Sequence, residues 1–385
     1  MTAVRKALIW VGIPVVLLLA GYGAFHEYVR AAAFVVRAAG MNGIGGAAAR
    51  WLSSPVERRD VVVPWRGGTL EGRWYGSARP EQAPTLLVPG VHAAGIDEPR
   101  LVRFATDLAS IGHPVLTVEL ADLLQYAVTP RNTDMIEDAA RWLSEQPALA
   151  PDGRIGMMGI SFAGGLTIVA AGREPLRARV KYVMSFGGHG DLPRTLRYLC
   201  TGVEPDGNRR PPHDYGVAII LLGAAGRMVP GEQVDPLRTA ILTFLEASHL
   251  DMFDKQRAQI EFARARELAA SLPEPAATLM GYVNERDVAR LGPALLPYLA
   301  HVGGDPALSP SRSREPAAPV YLLHGAEDNV IPAIESVLLA RDLRDRGAEV
   351  RQLSTPLITH AEVERQPTAG EIWDLVRFWG TLLDE

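Results

Sequence analysis

The stretch GRIGMMGISFAGG, from Gly153 to Gly165, carries a hydroxyl where a buried strand has no use for one. An apolar run from Ile155 to Ile160 delivers Ser161 and then breaks at once into small residues, Ala163, Gly164 and Gly165. A Gly-x-Ser-x-small pattern that ends a strand and opens a helix makes a nucleophile elbow, a turn so tight that its neighbours must be small. Such a turn lifts the serine hydroxyl above the sheet edge. It also sets the next amide, that of Phe162, at a helix N-terminus, where the helix dipole favours developing negative charge. By itself the pattern also fits a serine that merely caps a helix.

A serine hydroxyl is a weak nucleophile and needs a base, usually histidine, oriented by a carboxylate. Asp328 stands in HGAEDNVIP, just past the apolar run PVYLLHG, and His360 is the only histidine after it, in TPLITHAEV beyond EVRQL. The order nucleophile, acid, histidine is that of a strand–elbow–helix hydrolase. Each residue also follows a different predicted strand, on the edge where open α/β sheets bind ligands. Asp191, in GGHGDLP after VKYVMSF, is an alternative acid; its other reading is a helix cap before Leu192 and Pro193. His92 is either a pocket-mouth residue or a turn histidine satisfied by backbone, and His324, at a strand end, reads as structural. His189 and Asp191 have no second ligand cluster beside them, and no glycine-rich loop leads into Lys-Ser/Thr, so neither a metal nor a nucleotide site is expected. No cofactor is implied.

The elements that must hold these residues alternate. VVVPWRGGTLEGRWYG reads as a hairpin turning at Gly67-Gly68; TLLVPG, HPVLTVEL, RIGMMGI, VKYVMSF, PVYLLHG and EVRQL read as short strands separated by helical patterns. Asp97 is the expected N-cap of a helix with Pro99 in its first turn, and Asp134 with Glu137 forms a capping-box pattern. The closing helix carries Ile372, Val376, Trp379 and Leu383 on one face. Short strands alternating with helices imply an α/β fold, a mostly parallel sheet covered on both sides. The helix-rich stretch 190–318 interrupts the alternation and reads as an inserted cap; its apolar run GVAIILLGAAG is too short to span a bilayer. The sheet domain is thus expected over 59–189 and 319–385, with 31–58 as a connector or a helix on a membrane surface.

Composition bounds the partners. A chain of 385 residues, 48% hydrophobic, has ample material for a large core, and a net charge of −5 without a basic block argues against nucleic acid. The one cysteine, Cys200, excludes an internal disulfide framework. After Arg5 and Lys6, the segment Ala7 to Phe25 is free of charge and close to the roughly 20 residues that span a bilayer. An uncleaved N-terminal transmembrane helix is the expectation, over a cleaved signal peptide, with the main domain on the extracytoplasmic side.

On the elbow at Ser161, the acid at Asp328 and the base at His360, the sequence resembles the α/β-hydrolase family from about Arg59 to Glu385. The resemblance implies that Ser161, Asp328 and His360 form a catalytic triad. It implies too that the turn after TLLVPG is the oxyanion loop, with the Val91 amide, or that of its neighbour His92, as the second donor beside Phe162. The turn reads Pro89-Gly90-Val91-His92 where many members carry His-Gly at the first two positions, and Ala163 stands where many have Gly. The expected activity is hydrolysis of an ester or similar acyl compound, a small molecule that an anchored enzyme could draw from lipid. A peptidase, an acyltransferase and a non-catalytic binding protein of the same fold are the alternatives.

Overall fold

The structure, a computed structural model, describes residues 26–40, 43–80, 82–251, 253–358 and 368–385. The charge-free segment Ala7 to Phe25 and the base candidate His360 therefore lie outside the described residues. Among the described residues no helix is long and apolar enough to cross a membrane.

Among the described residues an eight-stranded sheet runs in the order β1-β2-β4-β3-β5-β6-β7-β8. The strands are β1 (Val56–Trp65), β2 (Gly68–Ser77), β3 (Thr85–Val88), β4 (Val115–Val118), β5 (Ile155–Ile160), β6 (Val180–Phe186), β7 (Val320–Gly325) and β8 (Val350–Thr355). β2 pairs antiparallel with both β1 and β4, and every other pairing is parallel. Parallel strands need helical crossovers, which cover both faces, so β3, β4 and β7 are buried at every position. That is why these strands read as mostly apolar runs.

Alternation along each strand divides two cores. Leu86, Leu116, Met157 and Leu322 face helices Pro130–Ser144 and Phe162–Gly172 and the cap. Leu87, Val115, Met158 and Leu323 face helices Pro99–Ser110 and Ala369–Leu383 and a helix over 26–38. That last helix falls partly in the stretch read as a connector, and it belongs to the core. Its Phe34 ring lies 4.5 Å from Trp379 and 5.5 Å from Phe104, and Arg30 Nε donates to the Ile111 carbonyl at 2.8 Å. Full burial of a side chain like Phe34 contributes about 1.5–3 kcal/mol.

Two helix starts differ from expectation. Glu98, not Asp97, caps Pro99–Ser110, accepting from the Leu101 amide at 2.7 Å, because a short 3-10 turn over Gly95–Asp97 moves the helix start by one residue. The capping box of Pro130–Ser144 is Thr129 with Asn132, one turn before Asp134. Asp134 and Glu137 instead lie inside that helix, where both receive Arg173 at 2.6 Å. Pro130 in the first turn fixes the earlier start.

The insertion after β6 is helical. It comprises Leu192–Thr201, Tyr215–Met228, Gly231–Leu250, Lys255–Ala270, Ala276–Asn284, Val288–Leu295 and shorter pieces before β7. The apolar run in Tyr215–Met228 is the buried helix of this cap, which accounts for its hydrophobic character on nearly every side.

Candidate active site

The strand order itself selects a location. From β3 the chain crosses to β4 on one side, and from β5 to β6 on the other, while β3 and β5 lie side by side. Connections that diverge from adjacent parallel strands open a crevice at their C-terminal ends. The loop after β3 and the turn after β5 line this crevice, and they contain Gly90-Val91-His92 and Ser161.

Ser161 has φ 56° and ψ −134°, a backbone conformation that costs a non-glycine residue about 1–3 kcal/mol. The surrounding contacts hold it there. Its amide donates to the Phe186 carbonyl of β6 at 2.8 Å, and its carbonyl accepts from the Gly164 amide at 2.8 Å. A Cβ on Gly159 would stand 2.4 Å from the Ala163 carbonyl oxygen and from Thr167 Oγ1, and one on Gly164 would stand 2.3 Å from Ser185 Oγ. The small residues are therefore packing requirements of the turn. Helix Phe162–Gly172 begins directly after the serine and is buried along its whole length.

The loop after β3 passes close to the elbow: a Cβ on Gly90 would meet the Ser161 Cβ at 3.4 Å. Neither the Val91 nor the Phe162 amide has a hydrogen-bond partner among the described residues, so both remain available to an acceptor beside Ser161.

Asp328 follows β7 and is buried, with Oδ1 accepting from the Val330 and Ile331 amides at 2.8 and 3.0 Å. These two bonds fix the carboxylate plane. Gly187, at φ +62°, lets the loop after β6 approach: its Cβ would stand 3.6 Å from Asp328 Oδ2. His324 is buried and donates from Nε2 to the Ile331 carbonyl at 2.8 Å, closing the same loop. It serves as a loop brace.

Asp191 has another task. It caps Leu192–Thr201 by accepting from the Arg194 amide at 2.9 Å, and its Oδ2 receives Arg312 Nε at 2.8 Å. His189 is buried with its Nε2 on the Leu308 carbonyl at 2.7 Å. Among the described residues no group of three or more His, Cys, Asp and Glu side chains could hold a metal ion. Cys200 is buried, and burial pushes its thiol up to about 12, far from the thiolate needed for reactivity.

Several residues of this region gave no signal in the sequence. Tyr126 sits at φ 55° in the loop after β4, its phenol pushed up to about 12 by burial. Tyr215 opens the second cap helix, and burial first, then the Asp328 charge, raises its phenol well above the ordinary value. His249, near the end of Gly231–Leu250, reaches His92 Nε2 at 2.8 Å. Aromatic and histidine residues in a helix-rich insertion look like ordinary cap packing, and only the fold brings them to the strand ends.

A cavity of about 220 Å³ lies at the seam of cap and sheet domain. Phe162 and Val128 of the sheet domain line it together with Leu192, Leu196, Ile219 and Ile220 of the cap. A larger cavity of about 710 Å³, bounded by Val56, Ala83, Pro151 and Lys181, lies at the opposite edge, where β3, β5 and β6 begin, and is remote from the elbow.

No protein-family model and no curated protein matches this chain. Among solved structures it is similar to an esterase from the archaeon Pyrobaculum calidifontis, at 16% identity over 94% of this chain and 92% of that one, with a TM-score of 0.47. It is similar to the carboxylesterase EstE1 from a metagenomic library, at 16% identity, 87% and 92% coverage and a TM-score of 0.45. A Pyrococcus horikoshii acylaminoacyl peptidase matches at 15% identity and a TM-score of 0.45; the aligned part is 89% of this chain and 43% of the peptidase. Likenesses this distant carry no argument about this chain. The strand order and the elbow after β5 stand on the structure itself.

Proposed function

We propose that this chain is a serine hydrolase that cleaves carboxylic esters through an acyl-enzyme, with Ser161 as nucleophile, His360 as base and Asp328 as the acid that orients it. The observation that carries the reading is the strained Ser161 turn at the switch point of the sheet, with the Gly90 loop packed against it. Backbone strain at a hydroxyl beside two unengaged amides supports a reactive centre better than a helix cap does.

The steps follow from the residue types. Ser161 Oγ bonds to the ester carbonyl carbon as its proton passes to His360, and the carbonyl electron pair moves onto oxygen. That oxyanion rests on the Val91 and Phe162 amides; loss of one such donor costs about 10²–10³ in kcat. Collapse breaks the bond to the alcohol, which leaves with the proton held by His360. Water repeats the sequence on the acyl-enzyme and frees the acid. Asp328, buried and held by two amides, keeps the histidine in the required tautomer and stabilises its charged form.

The cavity beside Phe162 supports a modest apolar acyl group, because at about 220 Å³ it is smaller than the usual pocket for a drug-sized ligand. Turnover of p-nitrophenyl esters from acetate to palmitate tests this, with an optimum at short or medium chains expected. A rate that keeps rising to palmitate would contradict it. In the same reading the charge-free segment Ala7 to Phe25 supports a membrane anchor with the hydrolase domain extracytoplasmic. Retention in the membrane fraction after carbonate washing is the expected result, and release would refute it.

A further inference from the structure

His249 and His92 lie 157 positions apart, one in the last turn of a cap helix and the other in the loop after β3, yet their rings meet edge to face with centroids 4.0 Å apart. The hydrogen bonds settle the proton positions. The Ala94 amide donates to His92 Nδ1 at 3.0 Å, so that nitrogen carries no proton and the ring proton lies on Nε2. His92 Nε2 must then donate to His249 Nδ1, 2.8 Å away, which leaves the His249 proton on Nε2. His249 is itself steadied by the Phe253 ring at 5.1 Å. The turn from Val91 to Ala94 is thus closed by His92 on its own Ala94 amide and held from the cap by His249.

We propose that His249 is a positioning residue for ester hydrolysis: through His92 it fixes the turn that presents the Val91 amide to the oxyanion. This rests on the serine-hydrolase reading above. A shift of a donor by a fraction of an ångström weakens a bond that must form in the transition state, so the effect belongs in kcat more than in KM. The pair works with both rings neutral. Burial, then the neighbouring His249, brings His92 down to about 4, and burial also lowers His249. The other charged groups facing the pair are Glu98 and Arg100 beyond the turn and Glu246 one helical turn before His249.

Steady-state hydrolysis of p-nitrophenyl butyrate and the rate of fluorophosphonate labelling, each on the full chain, test the proposal with two variants. His249→Phe keeps an aromatic ring and removes the acceptor; His249→Asn offers an amide oxygen near the place of Nδ1. His249→Phe is expected to lower kcat and the labelling rate about tenfold with KM within twofold, and His249→Asn to restore most of the loss. A His249→Phe enzyme with wild-type kcat, or one impaired only in KM, would overturn the positioning role while leaving the hydrolase reading intact. If His249→Asn is as impaired as His249→Phe, the hydrogen bond is not the cause and the proposal fails. A wild type that neither turns over the ester nor labels would remove the hydrolase reading, and this proposal with it.

Discussion

At the elbow, Ser161 is held by its own backbone: a strained φ, an amide bonded to Phe186 and glycines whose missing Cβ atoms admit the neighbouring chain. At the cap seam, His92 is held by a side chain from another part of the fold, through one hydrogen bond to His249. The first arrangement depends on residues within a few positions of each other and on a strand pairing. The second depends on how an inserted domain happens to sit. A backbone-built centre fails as a whole when its packing is disturbed, whereas a side-chain buttress should fail by degrees.

That contrast orders the expected effects. Ser161→Ala should lower kcat about 10⁶-fold while the protein stays folded, as read by ester turnover and by circular dichroism. An alanine that retained activity near wild type would remove the elbow from the chemistry. Asp328→Asn should cost about 10⁴ in kcat by presenting the wrong histidine tautomer, with a melting temperature close to wild type. Asp191→Asn should leave kcat within a few fold, because Asp191 is engaged as a helix cap with Arg312. The reverse ranking would exchange their roles.

Gly159→Ala tests the packing side of the comparison. Its methyl would overlap the Ala163 carbonyl and Thr167 Oγ1, at a cost of roughly 3 kcal/mol in denaturant unfolding. An unchanged unfolding midpoint would mean that the turn relaxes freely and is not held by its neighbours.

The smallest expected effect is on pH. His92 has its pKa lowered to about 4 from 6.5, so between those values the unfolded chain binds more protons than the folded one. Its neutral pairing therefore supports stability fully above about pH 6.5 and loses that support as pH falls toward 4. Buried His113 and His189, also lowered by desolvation, act in the same direction. The difference in melting temperature between wild type and His92→Gln isolates the pair: it should shrink as pH falls from 7 to 4. A difference constant over that range would contradict a neutral His92.

The sequence carried the features that are local. The strand runs, the elbow and the loop after β7 were legible because strands buried on both faces must be mostly apolar and a tight turn must be small. Helix starts were less so. Asp97 and Asp134 are good cap residues by type, but the chain used Glu98 and Thr129, each directly before a proline that fixes the first turn. The core packing of the helix over 26–38 was not legible, because an Ala-rich stretch looks the same whether it lies on a surface or packs Phe34 against Trp379. His249 was illegible for a different reason. Its role exists only once the cap lies over the loop after β3, and nothing in its own neighbourhood records that contact.

The central claim is that Ser161 is an activated nucleophile. Labelling the purified chain and its Ser161→Ala variant with a fluorophosphonate, followed by peptide mass spectrometry, tests it most directly. The account predicts an adduct on Ser161 in the wild type and none in the variant. A folded wild type without an adduct, or an equal adduct in Ser161→Ala, would contradict it.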